Sequence, residues 1–310
     1  MNDDGRAVCA MDKLFNFEVS MGYRFKWGAV YKMKNGRISA CVVTYNSGDE
    51  IRNVLNSLVN SSIKESLDIY VVDNNSSDET NLIVEKEFPK VHLIKMKKNV
   101  GFGAAHNQII STVQSKYHLI VNPDINFDSD ILEGLAKYMD AHFEVVIVSP
   151  KILNHDETEQ YLPKLNPKIR YFLGGRYEKY GGIFAKWRAE YTRRNETFIE
   201  PTDIEFCTGC FMFTRTSTLK QVGGFDERYF LHFEDADLAR TMIQRGNIVF
   251  HPDYKVHHLW RRDNVRSRKI FLIALVSMFK YFGKWGIRKS THRREMIVIN
   301  KVNSSKDISA

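Results

Sequence analysis

Four cysteines in 310 residues are too few for a disulfide scaffold, so the expected setting is a reducing cytoplasm. No apolar run approaches the roughly 18 residues that a membrane-spanning helix needs, which excludes a polytopic membrane protein. The opening Met1-Asn2-Asp3-Asp4-Gly5 is acidic and has no apolar stretch, so no secretory leader is expected. No repeat of 20–50 residues is present. There is also no Gly-Lys-Ser/Thr triplet, and Asn99-Val100-Gly101-Phe102-Gly103-Ala104-Ala105 stops at two glycines. A P-loop NTPase and a Rossmann dehydrogenase are therefore unsupported. What is present is ordinary: 43% hydrophobic and 26% charged residues. That composition excludes disorder, collagen and coiled coil as descriptions of the whole chain, and the length suits one large α/β domain with an extension, or two domains.

The net charge of +8 is local. Arg261 to Arg294 holds eleven Lys or Arg and one acid, Asp263, and the rest of the chain is slightly acidic. This argues against nucleic acid as the partner of the folded body. Residues 1–36 show no period of 2 or 3.6 and read as an extension of unknown role; Met33 stands just before the first convincing strand, which leaves open a start there.

From Ile38 onward strand and helix patterns alternate. Apolar runs at 38–44, 69–73, 91–94, 117–121 and 145–148 read as buried strands. Ile51, Val54, Leu55 and Leu58 share one face of a helix, and further helices are expected over 104–113 and 130–139. Ser47/Glu50 and Ser76/Glu79 have capping-box spacing. The pattern predicts an α/β fold with a mostly parallel sheet covered by helices on both faces. Residues 154–205, with Gly174-Gly175 and Gly181-Gly182 as breakers, read as a long irregular, substrate-facing insertion. A short strand at 211–213, a helix over 235–245 and a strand at 248–250 follow.

Ligands of open parallel sheets bind beyond the carboxyl ends of the strands. Four consecutive strands here end in Thr44-Tyr45-Asn46, Asp73-Asn74-Asn75, Asn99 to Gly103 and Asn122-Pro123-Asp124. Any one of these loops is explained by turn chemistry alone; four on one edge suggest a ligand site. Pro123 holds Asn122 extended and aims Asp124 off the strand tip, where one carboxylate suffices for Mg²⁺ or Mn²⁺ if diphosphate oxygens and waters complete the shell. Glu234, Asp235 and Asp237 open a helix, as dipole-favoured acids do; three so close together exceed capping needs and suit a general base. His257 or His258 could add a metal contact. Cys207 and Cys210 have CxxC spacing without a second pair and read as core.

Taken together, Cys41 to Asn46, Val71 to Asp78, Asn99 to Asn107, Asn122-Pro123-Asp124 and Phe230 to Leu238 resemble family 2 glycosyltransferases of the GT-A fold, and within them rhamnosyltransferases that use dTDP-rhamnose. The resemblance covers about 38–267. It divides the chain into a GT-A domain at 37–267, with a donor half at 37–150 and an acceptor half at 151–267, and a basic helix and tail at 268–310. It implies that Thr44, Asn46 and Asp73 hold the base and ribose, and that Gly101, Phe102 and Asn107 line the nucleotide-sugar cleft. Asn122-Pro123-Asp124 stands where the family has its Asp-x-Asp metal site, with Asn122 replacing the first acid. Asp235 matches the general base, with Glu234 beside it, and His257 matches a histidine that helps the metal or diphosphate. The implied reaction is metal-dependent inverting transfer of a sugar to a glycan or lipid-linked glycan acceptor. A UDP-sugar donor, a sugar-phosphate nucleotidyltransferase and a non-catalytic adaptor are the alternatives; the second lacks the cation it needs after the first strand.

Ile270 to Phe279 is a ten-residue apolar run flanked by Lys and Arg and continued by Tyr281, Phe282 and Trp285. It suits a helix lying in an anionic membrane surface, peripheral on the inner face of a bacterial plasma membrane. A helix packed on the domain or in a homodimer interface is the other reading.

Overall fold

Strands β1 (Ile38–Thr44), β2 (Leu67–Asp73), β3 (His92–Lys95) and β4 (Tyr117–Val121) form a parallel half-sheet in the order β3-β2-β1-β4. The structure, a computed structural model, describes residues 37–259 and 268–287. The 1–36 extension, Met33 and the tail beyond 287 lie outside the described residues. Beyond β4 the sheet continues through β8 (Phe211–Arg215), β6 (Val145–Leu153), β9 (Asn247–His258) and β5 (Ile125–Phe127), with β7 (Thr202–Asp203) on β9. The β6–β9 pair is parallel; β8 runs antiparallel to both β4 and β6, and β5 and β7 are antiparallel to β9. The sheet is thus mixed, with its longest ladders parallel.

Both faces are covered, which is why the strands read as unbroken apolar runs rather than as alternations. On one face Ile38, Ala40 and Val42 of β1 meet α1 (Ile51–Val59) and α4 (Ile131–Ala141). On the other, Cys41 and Val43 meet Ala105 and Ile109 of α3 (Phe102–Ile110). Helix α2 (Thr80–Glu87) contributes Ile83 and Val84 to the first face. Helices α7 (Thr216–Gln221) and α8 (Glu234–Met242) build the core of the second half with Leu219, Leu238 and Met242. Cys41, Cys207 and Cys210 are free and buried, as the core reading expects.

Three local expectations change. Neither capping box forms; the helix entries carry no capping side chain. Instead Gly48 N donates to Asp78 Oδ2 (2.9 Å) and Ser47 N to Thr80 Oγ1 (2.9 Å), so the first two loops cap each other across the sheet. The 154–205 insertion is not irregular: it holds a helical hairpin, α5 (Ile169–Tyr177) and α6 (Gly182–Thr192). Of the four glycines that looked like breakers, Gly181 and Gly182 make its turn with positive φ, while Gly174 and Gly175 lie inside α5. The helix of the C-terminal segment, α9 (Arg268–Trp285), packs one face on the domain: Tyr281 is fully buried, and Ser277 Oγ donates to Leu231 O at 2.9 Å.

Candidate active site

The carboxyl ends of β1 and β2 are adjacent in register, Thr44 opposite Asp73. Thr44 Oγ1 donates to Asp73 Oδ1 (3.1 Å), and Asp73 Oδ2 accepts from Ser76 N (3.0 Å) and Asn81 Nδ2 (2.9 Å). Both side chains are buried. They form a rigid floor, while Asn46 is exposed at φ 54°, a conformation asparagine tolerates. Asn46 Oδ1 accepts from Ser77 N at 2.8 Å. Beside this floor Asn74 braces the next loop, donating to Gly101 O (3.0 Å) and accepting from Val100 N (3.0 Å). Gly101 has φ +93°, and a Cβ there would lie 2.9 Å from Phe230 Cα; this is the position where only glycine fits. Phe102 N then donates to Phe230 O (3.1 Å). Asn107 is spent differently from the cleft-lining role that the resemblance implies. Its amide donates to Phe225 O (2.8 Å) and Glu227 Oε1 (3.0 Å) and accepts from Phe225 N (2.9 Å), so it straps α3 to the 223–227 turn.

The segment 207–210 joins the two acids. Asn122 N donates to Cys210 O (3.0 Å), and Gly209 N donates to Asp235 Oδ2 (3.1 Å). Burial raises the Cys210 thiol pKa, and among the charges that act on it are Asp124, Lys164 and Asp235. Asp235 is thus bonded to the 207–210 segment, and Asp124 lies two residues after Asn122, which is bonded to the same segment, although 110 residues separate the two acids in the chain.

Asp124 Oδ2 lies 3.2 Å from His258 Nε2, and its Oδ1 is buried with no partner. The histidine expected here, His257, instead contacts Glu157 (2.8 Å) at the surface. The reason is strand geometry. Strand β5 pairs Ile125 with His258, and successive side chains on β9 point to opposite faces. Gln160 completes the arrangement. Its Nε2 donates to Asn154 Oδ1 (2.8 Å) and His258 O (2.9 Å), so its Oε1 is left to accept from His258 Nδ1 (2.9 Å). That assignment leaves the Nε2 lone pair facing Asp124, the pattern by which outer partners orient metal-ligating histidines. Among the described residues no three His, Cys, Asp or Glu converge as a closed cage. An orphaned carboxylate oxygen beside an oriented imidazole fits a divalent cation that takes its remaining ligands from a diphosphate and water.

The three acids of α8 separate into three environments. Asp237 is 2% exposed and structural: it accepts from Tyr229 Oη (3.2 Å), Trp285 Nε1 (2.6 Å) and Lys284 Nζ (2.7 Å). Glu234 is buried with Oε2 unpartnered. Burial first, and then the neighbouring Asp235, push its pKa well up. Asp235 remains as the acid of the cleft. Sequence reading missed Lys164, whose ammonium sits over the rings of Tyr191 (5.7 Å) and Phe206 (5.8 Å). Burial lowers its pKa to about 8, against the pull of Asp235 and Cys210. Nothing in the local pattern marks it; the α5–α6 hairpin brings Tyr191 to it.

The sequence profile of Glycosyl transferase family 2 matches residues 39–223. The chain belongs to that family. It is 25% identical over 232 residues to the N-acetylglucosaminyl-diphospho-decaprenol L-rhamnosyltransferase of Mycobacterium tuberculosis, covering 70% of this chain and 74% of that protein. It is 29% identical over 200 residues to the rhamnosyltransferase WbbL of Escherichia coli, covering 59% and 70%. Among solved structures, the mannosyltransferase PcManGT of Pyrobaculum calidifontis, in complex with GDP-Man and Mn²⁺, aligns with TM-score 0.55 at 17% identity over 83% of this chain and 66% of that one. Residues 1–349 of Staphylococcus aureus TarS align with TM-score 0.52 at 20% identity over 77% and 65%. The family 2 transferase therefore has the GT-A fold, and it spans just under two thirds of either solved structure.

Proposed function

We propose that this family 2 glycosyltransferase transfers a sugar, with inversion, from a nucleoside-diphosphate donor to a hydroxyl of a glycan or lipid-linked glycan acceptor at an anionic cytoplasmic membrane face, and that the donor is dTDP-rhamnose. The reading rests chiefly on one observation: the 207–210 segment accepts from Asn122 N, two residues before Asp124, and donates from Gly209 N to Asp235. The names of the two rhamnosyltransferase relatives support rhamnose as the sugar.

Thr44, Asn46 and Asp73 form the platform for base and ribose, and the Gly101–Phe102 turn the wall beside it. Asp124 and His258 would hold Mg²⁺ or Mn²⁺, which when bound offsets charge developing on the leaving diphosphate. Lys164 adds a cation to the same cleft without an ion-pair partner among the described residues. Asp235, held by Gly209 N, accepts the proton of the acceptor hydroxyl, whose oxygen attacks the anomeric carbon as the C–O bond to the diphosphate breaks. A single displacement inverts the configuration and needs no enzyme nucleophile. Glu234 is assigned no part in proton transfer, because it is enclosed with its Oε2 unpartnered.

Asp235→Asn is expected to lower turnover about 10²- to 10⁴-fold while thermal stability and dTDP binding persist; unchanged turnover would reject the base assignment. Thermal stabilisation by dTDP-rhamnose with Mn²⁺, and none by UDP-sugars, is the expected donor signature. The reverse selectivity would move the donor to the UDP-sugars.

A further inference from the structure

Helix α9 has two faces, and only one is used by the domain. Ser277, Tyr281, Lys284 and Trp285 anchor it: Lys284 and Trp285 bond to Asp237, and Arg240 stacks on the Trp285 ring at 4.7 Å. On the other side Leu272, Val276 and Phe279 are 61%, 53% and 70% exposed. At about 100° per residue these three fall within about 60° of one another on the helix surface. Lys269 and Lys280 border that stripe on one side and Arg268 on the other, all exposed, and no acid occurs between 268 and 287. The face adjoins the α5–α6 hairpin, where Phe172 stacks on Phe271 (6.1 Å) and Arg176 covers the same ring at 4.7 Å. The hairpin exposes Tyr180 (68%) and Ile183 (55%) beside Lys179 and Lys186.

We infer that the Leu272–Val276–Phe279 face of α9, continued by the tip of the α5–α6 hairpin, docks the enzyme on a bilayer containing anionic lipid. Aliphatic and aromatic tips enter the acyl boundary while lysine and arginine stems carry their charges back to the headgroups. Charge selects this occupant. Anionic headgroups complement α9, which carries no acid, and a hairpin tip whose acid Glu178 is paired with Arg188 and Arg194, whereas a second copy of the chain would set the cations of α9 against one another across a two-fold axis. The helix lies flat on the domain rather than crossing: no helix among the described residues is long and apolar enough to span a membrane. The inference deepens the proposed transfer to a lipid-linked acceptor and rests on that reading for its purpose, but its test does not depend on turnover.

The full-length protein is floated with vesicles of phosphatidylcholine alone and of phosphatidylcholine with phosphatidylglycerol, with dTDP binding measured in parallel. Flotation is expected only with the anionic vesicles and is expected to weaken in high salt. Leu272→Ser/Val276→Ser/Phe279→Ser is expected to abolish it with thermal unfolding and dTDP binding unchanged. Arg268→Gln/Lys269→Gln/Lys280→Gln is expected to weaken it at least several-fold. Wild-type protein that stays unbound, a serine variant that still floats, or concentration-dependent dimers that vanish in the serine variant would each overturn the inference. Flotation without dTDP binding would sink the transferase reading alone, and dTDP binding without flotation the docking surface alone.

Discussion

Glu234 and Asp235 are adjacent acids with opposite fates. Asp235 is held at the cleft by a backbone amide, whereas Glu234 is enclosed, its Oε2 unpartnered. A carboxyl whose pKa is raised in the folded state keeps its proton above pH 4.5, while the unfolded chain has lost it. Stability is therefore complete below pH 4.5 and falls, by about 1.4 kcal/mol per pH unit, as pH rises toward the folded value. Glu234→Gln is isosteric and cannot ionise. It is expected to raise the urea midpoint at pH 8, with the gain vanishing toward pH 4.5 and turnover kept within a few-fold. A large loss of turnover would return Glu234 to the chemistry. Lys164 gives a second residue-scale prediction. With its pKa lowered to about 8, affinity for dTDP should decline as pH rises through 8, and calorimetry on Lys164→Met should show weaker binding without that decline.

At the scale of elements, the short strand β5 does what no motif announced. Three residues, Ile125–Phe127, pair with the end of β9 and set His258 beside Asp124 while turning His257 toward Glu157. His258→Ala is expected to abolish the extra thermal stabilisation that Mn²⁺ gives in the presence of dTDP, and His257→Ala to preserve it; equal effects would refute the assignment. The four strand-end loops were legible because Asn, Asp and Gly at successive strand tips form a pattern along the chain. The histidine was misassigned because its side depends on a cross-strand register that two neighbouring residues cannot encode. The helical hairpin at 169–192 was misread for a related reason: paired glycines break a continuous helix but equally close the turn between two.

Across the whole molecule, two histidines are fully enclosed, His118 on strand β4 and His106 on helix α3. His118 is fully buried, and burial, with Lys220 acting in the same sense, lowers its pKa to about 3. His106 is also fully buried and pushed well down, by burial first and then by His118. Both remain neutral in the fold where the unfolded chain binds protons. Stability is thus intact above pH 6.5 and falls as pH decreases, for His118 toward about 3 and by about 1.4 kcal/mol per pH unit. Denaturation midpoints should decline through that window, and His118→Asn should flatten the decline; an unchanged slope would show that the ring is not enclosed in solution.

The sequence alone determined the α/β class, the ladder of apolar strands and the polar edge at their carboxyl ends, because burial periodicity and turn chemistry are written in neighbouring residues. The tertiary structure alone decided that the 207–210 segment bonds to both Asn122 and Asp235, that His258 rather than His257 faces Asp124, that Asp237 is spent on fastening α9, and that Lys164 sits over Tyr191 and Phe206. Each of these depends on contacts between residues far apart in the chain, where packing and strand register, not local pattern, fix which atoms meet.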